Sequence, residues 1–463
     1  KNKIILLHAE KGYGDTIQFI RYLPLFKKQG GRIILACQKP LIRLLEKIPG
    51  IELCVAENLS FLSFDVHTPL LELPRIFGTT LDNIPPPIPN LNIPDIRWIK
   101  LESPERNSLK VGIVWKTNLD SPTATKRSCK LINFQSILDI TGVTFYSLQK
   151  EPGVDIQLLE TLPILDLSSQ LNDFTDTAGI ITQLDLVITV DTAVAHLAGT
   201  LGKPVWILLP FVPDWRWMLD RNDSPWYPTA RLFRQPKIGD WHSVFIEVKQ
   251  ALIEFMESQK KLGEKFNLAY QYYQQNNLVE AERICHLILA EKPQDFQVLH
   301  LLAVLEHLAG RNEVAIQLLN QVITLHPNYS QGYSNLAKVM KNEGRLEEAV
   351  AHYQKAISLE PSNSSNYSNL GNILKNEGRL EEAVAHYQKA ISLEPNDSSN
   401  YSNLGFIFLQ KDQIELAIAN YEKSLFLDSS NSQINLSLGY AWQKKGDLSK
   451  ATTYYQKAIN LQP

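Results

Sequence analysis

Two hydrophobic periods divide this chain. From residue 1 to about 258, short apolar runs alternate with amphipathic stretches. The runs KIILLH (3–8), RIILAC (32–37), 51–55, KVGIVW (110–115), VTFYSL (143–148), DLVITV (185–190) and PVWILL (204–209) read as strands. Helices are predicted over 15–29, 39–48, 133–140, 173–183, 192–201 and 241–258. Such alternation implies parallel sheets with crossover helices. The segment IPPPIPNLNIPDIR at 84–97 interrupts it, because so many prolines fit neither a helix nor a central strand. KVGIVW then opens a second set. Two doubly wound halves, 1–100 and 101–258, are expected, joined by a proline-rich linker, with ligands binding beyond the carboxyl ends of the strands. The helix 241–258 would lead directly into the C-terminal region.

The second period begins near 259 and is a repeat of 34 residues. Proline recurs at Pro293, Pro327, Pro361, Pro395 and Pro463, with Ser429 in the missing place. Alanine recurs at Ala281, Ala315, Ala349, Ala383, Ala417 and Ala451, and a small residue at Ala269, Ala303, Ala337, Gly371, Gly405 and Gly439. A turn glycine recurs at Gly310, Gly344, Gly378 and Gly446, with Asp412 standing in once. KNEGRLEEAVAHYQKAISLEP occurs identically at 341–361 and 375–395. The small residue lets the two helices of a unit approach, the glycine closes the first helix in a left-handed cap, and the proline stops the second. Tyr353, Tyr387, Tyr421 and Tyr455 are expected to fill the gap to the next unit. No unit buries its apolar face alone, so the units stack into a superhelix. Over 262–463 this pattern resembles six tetratricopeptide repeats.

YSNL recurs at 333–336, 367–370 and 401–404, so Asn335, Asn369 and Asn403 share one repeat position. In O-linked N-acetylglucosamine transferases, asparagines at this place grip the backbone of an extended peptide, a task that suits a group with two donors and an acceptor. Capping or bridging of adjacent helices is the competing reading. Asn267 holds the equivalent place in the first repeat, whereas Leu301 and Ser437 break the series.

Two strand–helix junctions carry the candidate chemistry of the first region. HAEKGYGD (8–15) leaves the first strand, turns on Gly12 and Gly14 and enters a helix at Asp15. TVDTAVAHLAG (189–199) leaves another strand and opens a helix near Thr192. A helix start offers unpaired amides and a positive dipole end, so it can hold a phosphate without a metal. The first junction has too few glycines for a dinucleotide fingerprint and no P-loop lysine. GD in the first turn together with VDTAVAHLAGTLGKPV resembles glycosyltransferase family 9, heptosyltransferase-like enzymes of GT-B fold. HAEKGYGDTIQFIRYLP, VDTAVAHLAGTLGKPVWILLPFVPDWRW and SPWYPTARLFRQ look like the glycosyltransferase domain attached to bacterial tetratricopeptide repeats. Heptosyltransferases place glycine after the Asp-Thr pair, where this chain has Ala193.

The resemblance implies a GT-B type pair of Rossmann-like domains followed by the repeat superhelix. It also implies an inverting, metal-independent transfer from a nucleotide-diphosphate sugar, used as co-substrate with no other cofactor. Such transfer needs a base, a group to hold the leaving diphosphate, and groups that orient the sugar. Asp15 matches the family's catalytic aspartate, with a helix N-cap as its alternative. Glu10 and His8 are fallback bases on the acceptor side. His196, one helical turn after Thr192, is the second catalytic candidate. Asp191, Thr192, Ala193 and Gly14 are expected at the donor phosphates. The polar loop KTNLDSPTATKRS adds Lys116, Arg127 and Ser128 as neutralising or hydrogen-bonding groups. DWRW (214–217) and SPWY (224–227) offer aromatic faces for a sugar or base, or core for the second half, and Asp214 and Arg216 are expected to pair.

Composition narrows these readings. The 46 basic and 49 acidic residues nearly balance, which argues against a nucleic-acid binder. No apolar stretch is long enough to span a bilayer. Cys37, Cys54, Cys129 and Cys285 have no metal-ligand spacing, so reduced thiols and a cytoplasmic protein are expected. The expected partners are a nucleotide sugar and a protein or peptide in the repeat groove. A repeat scaffold on a degenerate transferase domain, or an enzyme with a glycan acceptor, are the alternatives.

Overall fold

The computed structural model describes residues 3–10, 12–56, 63–88, 91, 93, 101–102, 108–117, 124–151 and 153–461. The chain forms two compact units, 1–261 and 262–463. The division falls inside one continuous helix, Trp241–Gln274. The helix expected to end at 258 thus runs on as the first helix of the first repeat.

Unit 1 holds two parallel sheets. The first contains β1 (Ile4–His8), β2 (Arg32–Ala36), β3 (Ile51–Val55) and β4 (Val66–Pro69), in the order β3-β2-β1-β4. The second contains β5 (Leu109–Val114), β6 (Val143–Ser147), β7 (Ile164–Asp166), β8 (Leu186–Val190), β9 (Val205–Leu209) and β10 (Ala230–Arg234). Its order is β7-β6-β5-β8-β9-β10, third-second-first-fourth-fifth-sixth, as in doubly wound sheets. Each sheet reverses its winding at a switch point, between β1 and β4 and between β5 and β8. Ligand crevices form beyond the strand ends at such points.

Successive residues of the central strands serve opposite faces. Val205, Ile207 and Leu209 enter one core, while Trp206 and Leu208 enter the other. The first core is shared by both halves, since Leu7, Ile20 and Leu45 lie in it with Val114, Leu184 and Ile207. The second lies on the far face of the six-stranded sheet, where Val244, Phe245 and Val248 of Trp241–Gln274 pack on Ile113 and Ile188. Arg43 ties the halves at their edge by pairing with Asp173 (3.3 Å) and Asp176.

The helix expected at 15–29 is broken into Tyr13–Phe19, a 3-10 turn at Ile20–Tyr22, and Leu23–Lys28. Pro24 has no N–H to continue the ladder, and Leu23 bonds back only to the Ile20 carbonyl. Of the proline-rich linker, residues 84–88, 91 and 93 are irregular, with Ile88 and Leu91 buried; the rest lies outside the described residues.

Unit 2 is a stack of helix pairs, from Leu278–Glu291 through Leu448–Leu461. The left-handed turns fall at Gly310, Gly344, Gly378, Gly446 and Asp412, as the period requires, and also at Asn276. Pro293, Pro327, Pro361 and Pro395 each stand two residues past a helix end. One apolar core runs through Ala303, Leu336, Leu370 and Leu404, which belong to four consecutive units. The tyrosines do more than expected. Tyr387, Tyr421 and Tyr455 press on Gly371, Gly405 and Gly439 within their own units, and the Tyr387 hydroxyl donates to Asn372 Oδ1 (2.8 Å). Tyr421 also reaches the next unit, where it hydrogen-bonds Ser437.

Candidate functional site

The two junctions singled out in the sequence meet. The helix Tyr13–Phe19 follows β1 and packs on Ala193–Thr200, which follows β8. At the contact, Gly14 faces His196: a side-chain carbon on Gly14 would stand 2.6 Å from His196 Cδ2 and 3.1 Å from Nε2. His196 is 5% exposed. Its Nδ1 lies 2.9 Å from the Tyr227 hydroxyl, and its ring stacks on Trp217 with centroids 5.3 Å apart. Burial holds the imidazole well below its ordinary pKa, and Arg216, Arg21 and Arg127 push the same way. His196 is therefore neutral near pH 7. Burial also raises the Tyr227 phenol to about 12.

Asp15 is the third residue of its helix, and the N-cap is Gly12, so the capping alternative does not hold. A side chain on Gly12 would lie 2.9 Å from the Asp15 carboxylate, so glycine leaves that carboxylate its room. Asp15 Oδ1 pairs with the Arg216 guanidinium, which reaches across from the other half. Arg216 also donates to Asp214 Oδ1 (2.8 Å) and Gln18 Oε1 (2.7 Å). The expected Asp214–Arg216 pair is thus one arm of a larger clamp.

At the second junction Asp191 is 4% exposed. Burial raises its pKa, and Arg127, with NH1 at 3.3 Å, opposes the rise. Thr192 is the N-cap of Ala193–Thr200, yet its hydroxyl lies 3.0 Å from that of Thr189 and makes no capping bond. The amides of this helix start, at Ala193 and beyond, therefore have no side-chain cap.

Other candidates lie elsewhere or are engaged. Ser128 accepts from the Thr117 amide (3.1 Å) and donates to the Ala124 carbonyl (2.7 Å), fixing the chain at the end of β5. Residues 118–123 of the same loop lie outside the described residues. The Lys116 ammonium pairs with Asp155. His8 Nε2 stands 3.4 Å from His67 Nδ1, and burial, then His67, lower its pKa. Glu10 is exposed.

Sequence reasoning passed over Arg21, Tyr227 and the reach of Arg216 to Asp15. Arg21 is buried and donates to the Gln18 carbonyl (2.8 Å) and the Trp226 carbonyl (2.9 Å), with its guanidinium 5.0 Å from the Tyr227 ring centre. Its contacts span 205 residues of chain, and one sequence without periodicity at that range carries no signal for them. Of the DWRW and SPWY aromatics, Trp217, Trp226 and Tyr227 are core, while Trp215 is 59% exposed.

In unit 2, Asn335, Asn369 and Asn403 are half-buried. Asn335 Nδ2 donates to His300 Nε2 (2.7 Å), and Asn403 bonds Asn372 Oδ1 (3.2 Å) and Lys375 Nζ (2.6 Å) of the preceding unit. Bridging of adjacent helices is thus real for two of the three. A deeper pair of asparagines does the same: Ser334 bonds Asn366, and Ser368 bonds Asn400, both at 2.7 Å.

Comparison with known proteins bears on the second unit. A model described as "TPR repeat" matches residues 341–378 and 371–412, and one described as "Tetratricopeptide repeat" matches 398–431 and 432–463. Protein FlbA of Caulobacter vibrioides is 25% identical over 291 residues, which is 56% of this chain. The chain spans about half that relative's length, 48%. Among solved structures, MamA from Desulfovibrio magneticus is 20% identical over 36% of this chain and 94% of its own, with a TM-score of 0.34. Pseudomonas aeruginosa pilF is 18% identical over 44% and 93%, with a TM-score of 0.41. No helix among the described residues is long and apolar enough to cross a membrane. The C-terminal region of this chain carries tetratricopeptide repeats.

Proposed function

We propose that unit 1 is a GT-B type glycosyltransferase that moves a sugar from a nucleotide-diphosphate sugar, with inversion, to a protein or peptide held by the repeats. The observation that carries the reading is the meeting of the two junction helices, where Gly14, beside Asp15, abuts His196, 182 positions away in sequence. Asp15 takes the proton of the acceptor hydroxyl as its oxygen attacks the anomeric carbon. The diphosphate leaves toward Arg127 and the uncapped amides at Ala193, which offset its charge. His196, neutral and wedged between Gly14 and Tyr227, holds the two junctions in register. Asn335, Asn369 and Asn403 face the acceptor backbone. Tetratricopeptide repeats suit protein partners, which supports a protein acceptor.

The test is release of nucleoside diphosphate from UDP-, GDP-, ADP-, TDP- and CDP-sugars in the presence of peptide. Turnover that disappears in Asp15→Asn supports the reading. Peptide use unchanged by Asn369→Ala with Asn403→Ala sinks its acceptor half. A second reading, a binding scaffold with no turnover, is favoured by one observation: the Asp15 carboxylate is already paired with Arg216. Absence of turnover with every donor, alongside peptide binding to the full chain, would select it.

A further inference from the structure

Trp215 is the most exposed of the described Phe, Tyr and Trp residues of unit 1, ahead of Phe211 and Phe64. It is 59% exposed, although one face of its indole lies under the Arg216 guanidinium at 4.8 Å. Trp226 meets it edge-on with ring centres 6.0 Å apart. These two rings, Met218, Thr79, Thr80 and Leu81 line a pocket of about 260 Å³. Among the described residues, no ionisable side chain lines it. The Thr79 hydroxyl is held by Tyr22 at 2.8 Å, whereas among the described residues the Thr80 hydroxyl has no hydrogen-bond partner. Met218 has φ 55 and ψ −172, a conformation that favours glycine. Such strain in a residue with a long side chain collects at ligand sites.

From these features we propose that the pocket beside Trp215 is a subsite for one neutral pyranose ring. Any part it plays in transfer rests on the transferase reading above; the binding itself does not. The volume lies just below the roughly 300–1,000 Å³ of pockets for larger ligands, which suits a single ring. The uncharged lining suits a neutral ligand. The free indole face suits the C–H side of a sugar ring, and the Thr80 hydroxyl suits one of its hydroxyls. Arg216 connects pocket and base, since the same guanidinium that covers Trp215 pairs with Asp15.

The test uses the full chain and a panel of methyl pyranosides (glucoside, galactoside, mannoside, N-acetylglucosaminide) in saturation-transfer NMR. At least one is expected to show saturation of its ring C–H protons. That binding weakens about tenfold in Trp215→Ala, whose exposed site leaves the fold intact, and weakens in Thr80→Val. Absence of binding across the panel, survival of binding in Trp215→Ala, or displacement by a free nucleoside would overturn the proposal. Pyranoside binding without any turnover leaves the subsite standing and removes the transferase reading. Turnover without pyranoside binding at Trp215 does the reverse.

Discussion

Gly14 abuts the edge of His196 so closely that a methyl group there would fall 2.6 Å from the imidazole Cδ2. Neither side can give easily, because His196 is fixed by Tyr227 and Trp217 and Gly14 by its helix. Gly14→Ala is expected to destabilise unit 1 by about 1–3 kcal/mol through overpacking. His196→Ala costs a similar amount by opening a gap between Gly14 and Trp217 and removing one of the bonds to the buried Tyr227 hydroxyl. The double variant should cost less than the sum, with a coupling of about 1 kcal/mol or more in urea titrations. Additive effects would show that the two junctions do not bear on one another.

Arg216 joins three groups from two halves of the unit, Asp15, Asp214 and Gln18. Its side chain is 11% exposed, so loss of the guanidinium opens a gap and leaves two partly exposed carboxylates without their shared partner. Arg216→Ala is expected to cost about 3 kcal/mol, and Arg216→Lys to recover only part, because an ammonium cannot reproduce the fork. Thermal unfolding of unit 1 checks both. If the pair also orients the proton acceptor, Arg216→Lys lowers turnover more than it lowers nucleotide binding.

The repeats carry a pH dependence at His300. Burial lowers its pKa to about 4, against an ordinary 6.5. A depressed histidine is bound more readily by protons in the unfolded chain, so its stabilising share is present above about pH 6.5 and is lost as pH falls toward 4. The loss amounts to up to about 3 kcal/mol. Protonated Nε2 would also face the Asn335 amide donor and break the 2.7 Å bond. The urea midpoint of the helical signal should fall between pH 6.5 and 4, and His300→Gln should flatten that fall. An unchanged slope in the variant would remove His300 as the cause.

The alternation of apolar runs was enough to find seven of the ten described strands, each within a residue or two. The three it passed over have identifiable defects as signals. Val66–Pro69 contains a proline and no apolar run, Ile164–Asp166 is only three residues long, and Ala230–Arg234 places an arginine at its second and last positions. Sheet order was legible only as a class, because β8 pairing with β5 depends on crossover packing. In the repeats the period marks the turns wherever glycine or its aspartate stand-in recurs, and one period before Gly310 it lands on Asn276, where asparagine takes the left-handed position without a glycine to signal it. The candidate site divides the same way. Gly14, Asp15 and His196 stood in local patterns and do converge, whereas Arg216 needed a partner in the other half before it meant anything.

Helix spacing within the repeats is open to a direct test through the small-residue series. Sixteen positions after it stand Cys285, Leu319, Tyr353, Tyr387, Tyr421 and Tyr455, opposite Ala269, Ala303, Ala337, Gly371, Gly405 and Gly439. In the last three units the glycine makes room for a tyrosine: a side-chain carbon on Gly371 would lie 2.9 Å from the Tyr387 ring. The third unit, however, already sets a buried Ala337 against a buried Tyr353, followed by the same helix sequence. Gly371→Ala is therefore expected to be accommodated, its gain in helix propensity of up to about 1 kcal/mol offsetting the cost of a small shift of the ring. Tyr387→Leu is expected to cost about 1–3 kcal/mol by leaving a gap beside Gly371 and forfeiting the bond to Asn372. The second unit pairs Ala303 with Leu319, so Gly371→Ala with Tyr387→Leu should recover part of that loss. The comparison is read from urea midpoints of the full chain. A double variant no better than Tyr387→Leu would mean that helix spacing in these units is set by something other than this pair.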